Sequence, residues 1–173
     1  MDIASVFDKL AAPLRRRVRL MISRAVLSAV NDAGGIQLVQ VKLLDGEVRD
    51  GVERMQNYGF TSAPKAGAEG LMACVSGDRD HGIIVAMDDR RFRLKGLQAG
   101  EVAIYSDEGD QIVFKRGRIL QVTAGTKLEV ITPLATFSGD VQVTGDVTAG
   151  GISLKNHVHG GVQSGGSNTG GPQ

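Results

Sequence analysis

The chain has 173 residues, room for one or two small domains. Its 20 basic and 19 acidic residues leave a net charge of +1, which argues against duplex nucleic acid or an anionic membrane surface as a broad electrostatic partner. One cysteine, Cys74, excludes an intrachain disulfide, and no apolar run approaches the roughly 20 residues of a membrane-spanning helix.

Cys74 sits in Leu71-Met72-Ala73-Cys74-Val75 and reads as a small buried hydrophobe. The first residues lack the basic, apolar, small order of a secretory leader, so the chain is expected to be made soluble and without a secretion signal of its own. Glycine occurs 24 times against five Phe, two Tyr and no Trp. Aromatic side chains normally supply much of the area in a core. Their scarcity suits a thin all-β architecture, in which strands of several chains share a narrow core.

Residues 2–13 read as a short helix. Asp2 can cap it, Ile3, Val6, Phe7 and Leu10 recur at helical spacing, and Pro13 ends it. The basic run Arg15-Arg16-Arg17-Val18-Arg19 then reads as a solvated strand entry. Val18, Leu20 and Ile22 alternate with Arg19, Met21 and Ser23, and Val26–Val30 continues the apolar character. A helix over 18–30 is the competing local reading. After the turn cluster Asn31–Gly35, Ile36–Leu43 forms the second arm of a hairpin. Shorter strands are expected over Glu53–Tyr58, Leu71–Val75 and Ile83–Met87, with a loop over Thr61–Ala68. Five strands opening with a long hairpin fit a small Greek-key barrel of the OB type.

Beyond Asp88-Asp89-Arg90-Arg91, short alternating segments are separated by glycine corners. Gly109, Gly117 and Gly125 recur every eight residues, and Gly139-Asp140-Val141 returns as Gly145-Asp146-Val147. Strands are expected over Ile119–Thr123, Lys127–Thr132 and Leu134–Ser138. Leu128, Val130, Val141, Val143 and Val147 would face a common axis. One such ribbon cannot bury its apolar face, and its edges stay open. Three chains wound about one axis solve both problems; a monomeric β-sandwich is the alternative.

Two of the three histidines form the pair His157-Val158-His159. It follows Ala149–Asn156 and precedes a glycine-rich tail in which Val162 is the one large apolar residue. Side chains at i and i+2 of an extended strand project to the same side, about 7 Å apart. One chain offers two imidazoles, too few for a closed site; three chains offer six. Six imidazoles favour iron, cobalt or nickel over four-coordinate structural zinc. Read without that arithmetic, the tail is a disordered linker and both histidines are solvated. His81, in Asp78-Arg79-Asp80-His81-Gly82, reads as a surface turn residue.

These segments together resemble the central spike proteins of contractile-tailed phages of the Mu type, which have relatives in contractile bacteriocins. The resemblance runs through Arg17–Ile22 with Ala25-Val26 and Asn31-Asp32, through Glu53–Ser62 with Pro64 and Gly67-Ala68-Glu69, through Gly77-Asp78-Arg79, His81-Gly82 and Asp88-Asp89-Arg90, and ends at His157-x-His159. It implies a homotrimer with an OB-type domain, an intertwined triple-stranded β-helix and a C-terminal apex that holds iron through six histidines from three chains. The implied division is an N-terminal segment (1–16), the OB-type domain (17–90), the shaft (91–150) and the metal-binding apex (151–173). Calcium and chloride are associated with such shafts, with Asp140 and Asp146 as candidate ligands. Also implied are contacts of the OB-type domain with the baseplate hub and tail tube. The implied location is the tip of the virion's tail baseplate, after assembly in the host cytoplasm. On sheath contraction the spike is driven through the host outer membrane, mechanically and without catalysis.

Rival readings are weaker. A cell-wall hydrolase needs a positioned acid/base pair, yet Glu108 and Asp110 sit in a glycine-flanked turn, and no nucleophile elbow, H-E-x-x-H or phosphate loop is present. A single-strand nucleic-acid binder needs stacking aromatics, of which residues 14–90 offer Tyr58 and Phe60. A receptor-binding fibre usually ends in a broad recognition domain, not a small glycine-rich tip.

Overall fold

The computed structural model describes residues 2–161 and 165–166. The chain divides into two compact units, Met1–Leu128 and Glu129–Gln173.

The first unit opens with helix α1 (Ile3–Leu20), whose first turn is capped by the Asp2 carboxylate accepting from the Ala4 N–H at 3.3 Å. The helix does not end at Pro13; it carries Pro13 inside and runs on to Leu20. A proline deletes one backbone donor, not the run that follows it. Leu14, Arg15, Arg16 and Arg17 are strong helix formers, and Arg17 and Arg19 lie at the negative end of the helix dipole. An Arg15–Asp8 ion pair at 2.8 Å bridges the proline on the exposed face. The basic run is therefore the last turns of a helix, not a strand entry, and the N-terminal helical segment reaches Leu20 rather than residue 16.

Strands β1 (Ile22–Asn31), β2 (Gln37–Lys42), β3 (Val48–Arg54), β4 (Glu69–Cys74) and β5 (Gly82–Asp88) close a barrel in the order β1-β2-β3-β5-β4, with β4 pairing back onto β1. The β3–β5 pair is parallel, with Glu53 opposite Ile83; the others are antiparallel. Register shifts at Leu27/Ala29, Val39/Val41 and Leu71/Met72 add the local twist a tight barrel needs. The third strand lies earlier than the expected Glu53–Tyr58, because the chain turns out of the sheet after Arg54. The phase of β1 is also opposite to the apolar alternation: Ser23, Ala25 and Leu27 point inward and Ile22 outward. Small residues are needed there, since Met72, Ile84, Val39 and Val41 already fill the interior. Cys74 is buried in the same core, and burial pushes its thiol pKa up.

Gly77 is where the helix touches the barrel. Its φ is +73°, and a Cβ there would lie 2.3 Å from the Arg17 carbonyl oxygen, an atom of the backbone that cannot swing aside. Gly77→Ala is expected to lower barrel stability by about 2 kcal/mol, read as a fall in the denaturant midpoint at unchanged slope.

After β5, strands β6 (Val102–Tyr105), β7 (Gln111–Lys115) and β8 (Ile119–Thr123) form an antiparallel meander. Its corners use Gly109 (φ +95°) and Gly117 (φ +79°), two of the three glycines in the eight-residue recurrence. A polar clasp joins meander and barrel within this unit. Lys65 pairs with Asp107, Arg91 pairs with Asp89 at 2.6 Å and donates to the Ala66 carbonyl at 2.9 Å, and both cations lie over the Phe92 ring at 5.5 and 5.2 Å. The Lys65 and Arg91 hydrogen bonds hold the Asp107 and Asp89 carboxyls below the usual carboxylate range. A lowered folded pKa means the contribution is complete above the ordinary Asp value of 3.8 and is lost as pH falls below it. Melting temperature is thus expected to be flat from pH 7 to 5 and to decline below about 4, with the decline reduced in Asp107→Asn; because these groups are exposed, added salt should shrink it.

The meander buries Val113 and leaves Val102, Ile104, Phe114, Ile119, Leu120 and Val122 open. Among the described residues no strand forms between Thr123 and Thr148, so the strands expected over Lys127–Thr132 and Leu134–Ser138 have no ladder there. Leu128, Ile131 and Phe137 are 66, 91 and 75% exposed.

The second unit contains a minimal hairpin. Strand β9 (Thr148–Ala149) pairs with β10 (Ile152–Ser153), and Leu154 N–H donates to the Val147 carbonyl at 2.7 Å. Gly150 (φ +58°) and Gly151 (φ +85°) make the two-residue reversal, which needs positive φ at both positions.

Candidate metal centre

The hairpin delivers the chain into a turn over 154–156, and His157 and His159 follow it. They are not on an extended strand, as i, i+2 alternation implied. The turn instead brings the two rings to a centroid separation of 5.0 Å, nearly perpendicular at 78°. Both side chains are exposed. The His157 ring Nδ1 lies 3.1 Å from the Ser153 carbonyl oxygen and 3.0 Å from that of Leu154. A carbonyl can only accept, so these two contacts suit an Nδ1 that carries a proton, which in the neutral ring leaves the lone pair on Nε2. A donor nitrogen on one side and a backbone-anchored N–H on the other is the usual arrangement of a metal-binding imidazole.

Among the described residues no group of three or more His, Cys, Asp or Glu comes together, and His157 and His159 stand as a pair. His81 is exposed in its turn, as expected. Asp110 accepts from the Gly125 N–H at 2.8 Å and so anchors a corner. Val162, the one large apolar residue of the tail, lies outside the described residues.

Asp146 has a role that the sequence did not disclose. One carboxylate oxygen accepts from the Val147 and Lys155 N–H groups at 2.8 and 2.9 Å, and the other from the Ser153 hydroxyl at 2.5 Å. The Ser153 hydroxyl, then the Lys155 N–H, hold this carboxyl below its ordinary pKa. The partners lie seven and nine residues downstream, beyond any short motif; the one sequence signal was the repeated Gly-Asp-Val. Asp140, its counterpart in the first repeat, is exposed and is followed by no hairpin.

Residues 24–91 match the family described as Bacteriophage Mu Gp45, N-terminal, and residues 151–173 match the GpV apex motif. The baseplate puncturing device gp45 of Escherichia phage Mu is 47% identical over 146 residues, covering 80% of this chain and 74% of the relative. The chain belongs to the bacteriophage Mu Gp45 family. A second relative, the Mu-like prophage FluMu protein gp45 of Haemophilus influenzae, is 41% identical over 170 residues, covering 88% of this chain and 93% of the relative. The Gp45 match takes in nearly the whole barrel, and the apex match takes in β10 and both paired histidines. Helix α1 lies ahead of both matched segments.

Proposed function

We propose that this chain is the central spike of a contractile phage tail, located at the baseplate tip of the virion, and that as a homotrimer it punctures the host outer membrane mechanically when the sheath contracts. Membership of a family with a relative named as a baseplate puncturing device supports the role. The observation that carries the trimer is the run of open apolar side chains from Val102 to Val147 in a segment with almost no core of its own. Three copies would bury Leu128, Val130, Val141, Val143 and Val147 on a shared axis and pair the edges that one chain leaves unpaired. An intertwined triple-stranded β-helix over this segment satisfies both demands.

The barrel is of the OB type in this reading. Its support is the five-strand closure β1-β2-β3-β5-β4 with one parallel pair. The barrel and the open apolar stripe of α1, Ile3, Phe7, Leu10 and Leu14, supply the surface for the baseplate hub and tail tube.

At the other end, His157 and His159 of each chain would hold an iron ion. The donor set fits: neutral imidazole suits iron, and the anchored Nδ1 leaves Nε2 of His157 free to ligate. Bound there, the ion cross-links three chain ends that otherwise fray. Asp146 is engaged by its own hairpin, and Asp140 is the one of the two carboxylates left open as a calcium ligand in the shaft.

The mechanism asks for stiffness and a small contact area, and no bond is broken. Three-chain backbone pairing gives stiffness, and small residues at the end keep the cross-section low. Native mass and iron content of the purified protein test the reading. The expected mass is about three times 18.2 kDa with one iron per trimer; a single-chain mass overturns it.

A further inference from the structure

We infer that Asp146 and Ser153 form a clasp that selects the tautomer of His157, making them positioning residues for the histidine pair; this rests on the metal reading given above.

The contacts form a continuous chain. Asp146 gathers the Val147 and Lys155 N–H groups on one oxygen and the Ser153 hydroxyl on the other. The Ser153 oxygen, having donated its proton to Asp146, accepts the Asn156 N–H at 2.9 Å. That bond tightens the turn over 154–156, and the turn aims two carbonyls, those of Ser153 and Leu154, at the His157 Nδ1–H. The Ser153 carbonyl also accepts the His157 backbone N–H at 3.1 Å.

Each link fixes the next. A serine hydroxyl can donate only once, and the carboxylate takes that proton, so Oγ faces Asn156 as a pure acceptor. With both carbonyls converging on Nδ1, the Nε2–H tautomer would set one lone pair against two others and lose two hydrogen bonds. The clasp therefore does more than close a hairpin: it decides which imidazole nitrogen is free. His159 makes its ring contact with His157 at 5.0 Å, so the orientation of one ring bears on the other.

The test uses the full-length chain. In the iron-stripped protein at neutral pH, nitrogen-15 NMR of the imidazoles reads the His157 tautomer; competition with a chelator reads Fe(II) affinity. Wild type is expected to show Nδ1–H. Asp146→Ala and Ser153→Ala are expected to give mixed tautomers and a loss of about 10- to 100-fold in Fe(II) affinity. Ser153→Thr, which keeps the hydroxyl, is expected to match wild type in both tautomer and Fe(II) affinity. A hairpin cap with no influence on the ring would lower affinity or stability while leaving the tautomer unchanged, and that result overturns the proposal. So does a Ser153→Thr protein as impaired as Ser153→Ala. Should wild type take up no Fe(II), the metal reading fails on its own, and the tautomer of wild type and variants still decides the clasp.

Discussion

If three chains share an axis as proposed, Val130→Asp is expected to leave them as single chains. Val130 is 66% exposed in the isolated chain and is assigned to the shared axis. Three copies would place three carboxylates together in an apolar core, each without a cationic partner. An uncompensated buried charge costs about 3–5 kcal/mol per site, and three sit side by side. That total exceeds what neighbouring valines can offset. Sedimentation should show the mass of one chain, while the barrel keeps its own denaturant transition, because its core of Met72, Ile84, Val39 and Val41 lies elsewhere. A Val130→Asp protein that sediments as a trimer would remove Val130 from the axis.

His157→Ala is expected to bring bound iron down to background while the mass stays that of a trimer. In the proposed site three of six imidazoles would disappear, and each remaining His159 ring would lose the neighbour it packs against, 5.0 Å away. Metal analysis reads the first effect. Limited proteolysis reads the second: cleavage near the chain end should accelerate while cleavage within 102–147 does not. Undiminished iron in this variant would refute the histidine assignment.

Much of the barrel could be read from residues. Turn clusters at Asn31–Gly35 and Thr61–Ala68 punctuate the strands where the structure places its connections. The errors have local causes. Val18, Leu20 and Ile22 fall at strand alternation although Val18 and Leu20 belong to the helix, and the anchoring of the helix end against Gly77, 60 residues downstream of Arg17, is invisible to a local pattern. The inverted phase of β1 arises because Ser23 and Ala25 are inside for their small size, beside the fully buried Met72 on the neighbouring strand β4. Among residues 102–147 the glycine corners were legible, whereas the strands read over 127–132 and 134–138 find no partner among the described residues. The histidine pair stood out as a pair. Its turn, its proton position and the reach of Asp146 to residues 153 and 155 depend on a hairpin two residues long, which leaves almost no periodic trace.

In the proposed trimer the uneven distribution of core between residues 22–88 and 102–147 would set the order of assembly. The barrel closes on itself, a first-order event indifferent to how many copies are near. In the proposed trimer the residues after the meander would gain their burial only when three copies meet, so that step would accelerate with protomer concentration. On that proposal dilute nascent chains would wait with a finished barrel and unpaired edges in the residues that follow, prone to aggregation.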